Sequence, residues 1–258
     1  MFKSMESKGT NPIVHSPVTR ALLIYFFPIF LGSIFQQSYN VVDAIIIGRY
    51  AGTAALGAID ATGSIQRLLI NFVIGLAAGG SVLVARFVGA ERNVEVVQTV
   101  RAILSFSLIG SFVLILLGTS LTPFFARAMR VPQDIFDKTV LYSRILFVGS
   151  PFLVFYNTGS GIIKAMGDAQ SPFYYLLVGG FTNIVLDLIF VAAMGMGVVG
   201  AGLGTVLAQA LSCLLVLKKV SRYRKELEET KSKNILDTTH ILEMLAIGLP
   251  IGMQSVLY

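Results

Sequence analysis

Apolar residues in this chain fall in long uninterrupted blocks, not in short alternating runs. No charged side chain occurs in 21–42, 68–85, 102–126 or 145–163, and 169–217 contains a single one, Asp187. At 1.5 Å rise per residue, about 20 mostly apolar residues cross the hydrocarbon core of a bilayer. Four of these windows therefore hold one helix each and the fifth holds two. The spans read 18–47, 54–85, 95–119, 138–163, 171–194 and 200–218. Breaks are predicted at Gly48 to Gly52, Arg86 to Asn93, Thr122-Pro123 through Pro132, Lys164 to Pro172, and Met194 to Gly200. Each break carries Gly, Pro or a short capping side chain such as Asn93 or Asp168.

The pattern predicts an all-α membrane protein with six transmembrane helices and part of a seventh. Residues 1–17 form a polar leader with Pro12 and Pro17, 18–218 the six-helix unit, 219–240 a charged amphipathic linker, and 241–258 an apolar run barely long enough for one span. Composition agrees. The chain is 55% hydrophobic and 13% charged, whereas soluble domains carry about 25% charged residues. A soluble globule is excluded, and so is a disordered chain, which would be polar.

The net charge of +6 does not point to nucleic acid, because much of the excess sits just outside apolar spans. Fourteen Lys and Arg lie in the leader, the second–third and fourth–fifth loop regions and the segment after span six; five lie in the alternate loops. The positive-inside bias then puts the N-terminus and 219–240 in the cytoplasm of a multi-pass cell-membrane protein. The long apolar run from Ala21 to Ile47 is not a cleaved signal. One cysteine, Cys213, leaves no disulfide framework within the chain.

ALLIYFFPIFLGS (21–33) is echoed by EMLAIGLPIGMQS (243–255), with Pro28 matching Pro250 and Ser33 matching Ser255. A proline inside an apolar span kinks it and is tolerated in membrane helices. Six spans separate the two copies, so the echo suggests a second parallel six-helix repeat beginning near 243. Transporters are commonly built from such repeats, with the ligand site between them. On this reading the chain is one lobe and the start of the next, and its missing partner is the second lobe.

An ionisable side chain within the membrane is expensive and is by default a functional candidate. Asp43 lies five residues before Gly48, Asp187 seven before Met194, and Thr205 five past Gly200. All three therefore sit roughly 7–11 Å below the outer boundary. Asn183, four residues before Asp187, shares its helix face one turn deeper. Two carboxylates, an amide and a hydroxyl at one depth form either an oxygen cage for a cation or a proton relay. Gln36, Gln37, Tyr39 and Asn40 make a polar stripe just inside Asp43, lining a cavity or cross-linking spans. Asp60 and Arg67, two turns apart, read as an internal ion pair. Gly200-Ala-Gly-Leu-Gly204 looks like a dinucleotide fingerprint but lacks its strand and its downstream acid, and close helix packing explains it better. His15 and His240 have no metal-ligand spacing. No catalytic constellation is visible, so the chain is read as no enzyme and as needing no cofactor.

The runs QQSYNVVDAIIIGRYAGTAALGAI (36–59), FVIGLAAGGSVLVARFVGA (72–90), PFLVFYNTGSGIIKAMGDAQSPFYYLL (151–177) and TNIVLDLIFVAAMGMGVVGAGLGTVLAQ (182–209) resemble the multidrug and toxic compound extrusion (MATE) transporters. IGLPIGMQSVLY (247–258) is similar to the start of that family's seventh helix. The resemblance implies a twelve-helix antiporter of two six-helix lobes, which expels small organic, often cationic, compounds in exchange for Na⁺ or H⁺. By the same resemblance, Asp43, Asn183, Asp187 and Thr205 form an N-lobe cation site together with the Ala201 carbonyl, while Gln36, Tyr39 and Asn157 face the substrate cavity. Asp60 and Arg67 depart from the family pattern. The alternatives are a lipid-linked sugar flippase of related architecture and a non-transporting membrane fragment. An acidic cavity favours cations over the first.

Overall fold

The computed structural model describes residues 18–228 and 238–257, with side chains left aside at 18–22, 24, 25, 64, 65, 67, 68, 228, 238–242 and 255–257. Among the described residues seven α-helices follow one another: α1 (Val18–Tyr50), α2 (Thr53–Gly89), α3 (Asn93–Ala128), α4 (Gln133–Ala165), α5 (Gln170–Asp187), α6 (Gly197–Glu228) and α7 (Thr238–Leu257). A π-helical turn, Leu188–Ala193, continues α5. Among the described residues there is no strand. Connections of two to four residues join α1 through α5, and such short turns force neighbouring helices to run antiparallel. Two of these turns need a positive φ that glycine adopts without strain, Gly52 at 87° and Gly167 at 92°.

Five of the helical stretches are long and apolar enough to cross a membrane: Leu69–Gly89, Asn93–Ala128, Gln133–Ala165, Gln170–Ala193 and Gly197–Leu227. The described part of α1 is less apolar because its second half carries Gln36, Gln37, Tyr39, Asn40 and Asp43. The large exposed apolar side chains, Leu108, Ile109, Phe112, Phe124, Val148 and Leu214 among them, form the outer surface of the bundle. In water such a surface would be an aggregation hazard; in lipid it is solvated.

Because lipid is as apolar as the core, close packing rather than burial from water holds such helices together. Small residues permit it. A Cβ at Gly79 would run into the backbone of Gly248, so α2 and α7 cross with their main chains in contact. Gly149 instead receives the side chain of Val206 of α6, whose Cγ2 would clash with a Cβ there. One core cluster joins Leu83, Val84, Val96, Ile103, Ile162, Val216 and Met244. A second gathers Ile47, Ala58, Tyr142, Leu146, Val191 and Ala201.

Three sequence expectations shift. The break predicted at Thr122-Pro123 is absent, since α3 runs through Pro123 to Ala128. Pro123 lacks the N–H that would reach the Thr119 carbonyl, and Arg144 Nε of α4 donates to that carbonyl at 3.3 Å. The freed acceptor is satisfied from outside the helix, so the helix survives its proline. Secondly, α6 continues ten residues beyond Lys218 into the segment read as linker, because Val220, Tyr223 and Leu227 keep a helical stripe against the core. Thirdly, α7 starts at Thr238, three residues before the apolar run. The leader 1–17 and residues 229–237 of the linker lie outside the described residues.

Asp168, read as a capping residue, does more than cap. Its Oδ1 accepts the Ser171 N–H at 2.9 Å in the first turn of α5, and its Oδ2 accepts Ser171 Oγ at 2.6 Å and the Tyr223 hydroxyl at 3.1 Å. Lys219 Nζ lies 3.3 Å from the same oxygen. Burial alone would raise this carboxyl, but the Ser171 hydrogen bonds and the Lys219 ammonium outweigh it and hold the group below the usual carboxylate range. The α4–α5 turn is thereby tied to the end of α6.

Candidate functional site

Asp43 on α1 and Asp187 at the last residue of α5 come together, and their carboxyl groups interact directly. Asp187 is fully buried, and neither of its oxygens has a hydrogen-bond donor. Oδ1 of Asp43 is buried and equally without one. Two carboxylates cannot donate to each other, so the pair is complete only when a positive charge lies between them. A proton on one of them, or a bound cation, meets that need.

The local structure explains how a buried acid is reached at all. Asp187 sits where α5 passes into the π-turn, and Met194 N–H bonds back to Ile189 O at 2.9 Å, a five-residue step. π-bulges of this kind recur at functional sites because they re-aim side chains within a helix. Opposite stands Gly204 of α6, where a Cβ would lie 2.6 Å from Asp187 Oδ1. The glycine makes the space the carboxylate occupies.

Asn183, one turn before Asp187 on the same face, is 5% exposed, and its Nδ2 has no acceptor. Thr205 Oγ1 donates to the Ala201 carbonyl at 2.9 Å. That carbonyl keeps one lone pair for another partner, and Ala201 itself is fully buried. Tyr142 of α4 completes the group: its hydroxyl interacts with Thr205, and its ring stands close to both acids.

These groups border one cavity of about 450 Å³ lined by Asp43, Asn183, Thr205 and Tyr142 and also by Gln36, Tyr39 and Asn157. All three side chains assigned to the cavity from the sequence therefore line it. Asp187 and Ala201 lie behind its wall. Gln36 and Tyr39 interact with each other, and Tyr39 lies over Gly180, whose missing side chain admits the ring. Asn157 Nδ2 is bound to the Leu153 carbonyl at 2.8 Å, which turns its amide oxygen into the remaining acceptor.

The donor set suits an alkali cation or a proton. It offers hard oxygens from two carboxylates, a hydroxyl, a carbonyl and an amide, with three carboxylate oxygens unsatisfied. Among the described residues no three His, Cys, Asp or Glu side chains converge on a point, which sets the site apart from a transition-metal centre. Asp60, paired in the sequence reading with Arg67, is exposed on α2 and away from this cluster; the Arg67 side chain lies outside the described residues. Sequence reasoning missed Tyr142, Gly204 and the π-turn. Tyr142 belongs to no motif in the sequence, and only the pairing of α4 with α6 brings it to Thr205.

A helical bundle of span-length helices with a polar cavity and a buried acidic pair near one end is the architecture of a membrane transporter lobe. The family model described as MatE matches residues 28–189, and the chain belongs to that family. It is 27% identical over its whole length to the probable multidrug resistance protein YoeA of Bacillus subtilis (strain 168), covering 57% of that protein. It is 25% identical over 94% of its length to the multidrug export protein MepA of Staphylococcus haemolyticus (strain JCSC1435), covering 54%. Its fold superposes with a TM-score of 0.88 on an outward-facing multidrug resistance MATE family transporter of the MOP superfamily, at 25% identity, over 97% of this chain and 56% of that one. The chain spans about half the length of the relatives it matches, as one lobe would.

Proposed function

We propose that this chain serves as the cation-coupling lobe of a drug exporter, which expels small organic, often cationic, compounds in exchange for Na⁺ or H⁺. The observation that carries this reading is the Asp43–Asp187 pair, with three carboxylate oxygens buried and without a donor beside a polar cavity. Similarity to multidrug exporters supports the substrate class.

Asp43, Asp187, Asn183, Thr205 and the Ala201 carbonyl hold the coupling ion, and Tyr142 positions Thr205. Gln36, Tyr39 and Asn157 face the substrate. With the N-terminus in the cytoplasm, as the Lys and Arg asymmetry indicates, the acidic pair lies toward the outer face. An ion entering from outside neutralises the pair. The empty, doubly charged site attracts an organic cation into the cavity; the neutralised site does not. A ligand shifts a conformational equilibrium only through different affinity for its two states, and the change of charge supplies that difference. α1 carries both Asp43 and Pro28, so a local bend at the proline transmits the change to the cavity wall.

The test is efflux of a fluorescent organic cation from drug-sensitive cells that express the lobe within its full two-lobe protein, with the Na⁺ and proton gradients varied separately. Export that responds to either gradient and is lost in Asp43→Asn and Asp187→Asn supports the reading. Gradient-independent export, or export untouched by both substitutions, contradicts it.

A further inference from the structure

One face of α6 changes character along its length. Leu203, Leu207, Leu211 and Leu214 are exposed on it, and Lys218, Arg222 and Lys225 are exposed beyond them. These residues follow one another at steps of three or four, so all of them fall within a sector about 100° wide. Gln209 and Ser212, which line the cavity, and Val216, Val220, Tyr223 and Leu227, which pack on the core, occupy the opposite side of the helix. The leucine face therefore looks away from the cavity, and the three bases continue it.

The change falls at the depth where a bilayer changes. From Gly200 to Lys218 the helix rises about 27 Å, close to the roughly 30 Å of a hydrocarbon core. Leu207 to Lys218 takes about 16 Å of it, the thickness that the acyl chains of one leaflet fill. Lys218 to Lys225 adds about 10 Å, which spans the headgroup layer. Lys219 is turned about 100° from Lys218 and is engaged elsewhere, its Nζ 3.3 Å from Asp168 Oδ2. Glu226, an exposed acid, is likewise turned about 100° from Lys225. A soluble acidic partner would meet the bases but not the leucines. A phospholipid meets both, with its chains on the leucines and its phosphate on the bases. The Arg222 fork suits two phosphate oxygens, and the lysines supply point charges one turn to either side.

We infer that the Lys218–Arg222–Lys225 face of α6 binds an anionic phospholipid of the adjoining leaflet, the cytoplasmic one on the orientation that the Lys and Arg asymmetry indicates. The bases hold its headgroup, and Leu207, Leu211 and Leu214 its acyl chains. Each base is drawn to anionic headgroups, so the site prefers phosphatidylglycerol to phosphatidylcholine. Lys219 and Tyr223, on the other side of the same turns, hold Asp168. A lipid fixed here therefore also steadies the α4–α5 turn.

Native mass spectrometry of the purified chain in detergent, titrated with phosphatidylglycerol or with phosphatidylcholine, reads the affinity for the first lipid bound. Phosphatidylglycerol should bind at least about tenfold more tightly, and the combined Lys218→Gln, Arg222→Gln and Lys225→Gln chain should lose that preference. Arg86→Gln, which removes another exposed base, in the last turn of α2, should leave it unchanged. Should the triple variant not fold, Lys225→Glu alone, in the last turn of α6, should reduce the preference, and Lys218→Arg with Lys225→Arg should keep it. Thermal unfolding gives a second readout: phosphatidylglycerol should raise the melting temperature of the unmodified chain more than phosphatidylcholine does, and lose this advantage in the charge-depleted chains. Equal binding of the two lipids by the unmodified chain, or a preference that survives the substitutions, overturns the site. A loss in Arg86→Gln as large as in the triple variant also overturns it, because the attraction then belongs to the whole basic end and not to this face.

Discussion

Gly204 of α6 stands so close to Asp187 that a Cβ built on the glycine would lie 2.6 Å from Oδ1. Neither residue belongs to a recognisable motif by itself. Together they define a site: the helix that carries the acid is matched by a helix that makes room for it.

Gly204→Ala should therefore damage ion binding without touching a ligand. The added methyl must displace the short Asp187 side chain, because nothing closer than about 3 Å is tolerated and the acid has few rotamers to retreat into. We expect cation affinity to fall at least about tenfold while membrane insertion is unchanged, measured by radioactive sodium binding and by expression level. Unchanged affinity would show that the carboxylate does not need its present position.

Arg144 supports α3 across Pro123 by donating to the Thr119 carbonyl. Arg144→Leu leaves that acceptor without its donor, a loss of about 1–3 kcal/mol if the group stays shielded. Amide hydrogen exchange should then rise in 119–128 and remain unaltered in α5 and α6. Equal protection in the variant would assign the continuity of α3 to lipid packing alone.

The Asp168 clasp gives a pH dependence whose sign follows from its depressed pKa. A carboxyl held below its unfolded value, about 3.9, contributes stability that is fully present above that value. The contribution is lost as pH falls through the folded-state pKa. Thermal unfolding of the purified chain should show this acid-side loss. Asp168→Asn keeps an acceptor for the Ser171 N–H but loses the charged acceptor shared by Ser171 Oγ, Tyr223 and Lys219; it should be less stable at neutral pH, by about 1 kcal/mol, and should have a flatter profile in acid. A variant whose profile overlays the parent would remove Asp168 from the account of how the α4–α5 turn is fixed.

The α2–α7 crossing depends on backbone contact between Gly79 and Gly248. Gly248→Leu should force the helices apart at a cost of about 1–3 kcal/mol and make α7 accessible to protease in detergent. Gly252 has looser surroundings, with its nearest neighbour, the Phe72 carbonyl, 3.1 Å from a built Cβ; Gly252→Ala should be tolerated much better. Equal behaviour of the two would contradict the packing argument.

Much of this architecture was legible before any coordinates. Charge-free windows located the helices, since the bilayer enforces a length and excludes charge, and the Pro28–Pro250 echo marked α1 and α7 as proline-containing equivalents. Equal depth brought Asp43 and Asp187 to the same level, and they do meet. What could not be read depended on lateral neighbours. The proline at 123 looked like a stop because its replacement donor, Arg144, lies on another helix. Gly204 looked like a packing residue, and Tyr142 carried no signal, for the same reason. The π-turn after Asp187 has no sequence period of its own.

The central claim is that Asp43 and Asp187 form one site that a single positive charge completes. Infrared difference spectroscopy of the purified chain, with and without Na⁺ across a pH series, tests it most directly through the protonated-carboxyl band. The account predicts that the pair shares one proton that Na⁺ displaces, and that this Na⁺ response is lost in both Asp43→Asn and Asp187→Asn. Two independent carboxyl bands, each surviving the other residue's substitution and indifferent to Na⁺, would contradict it.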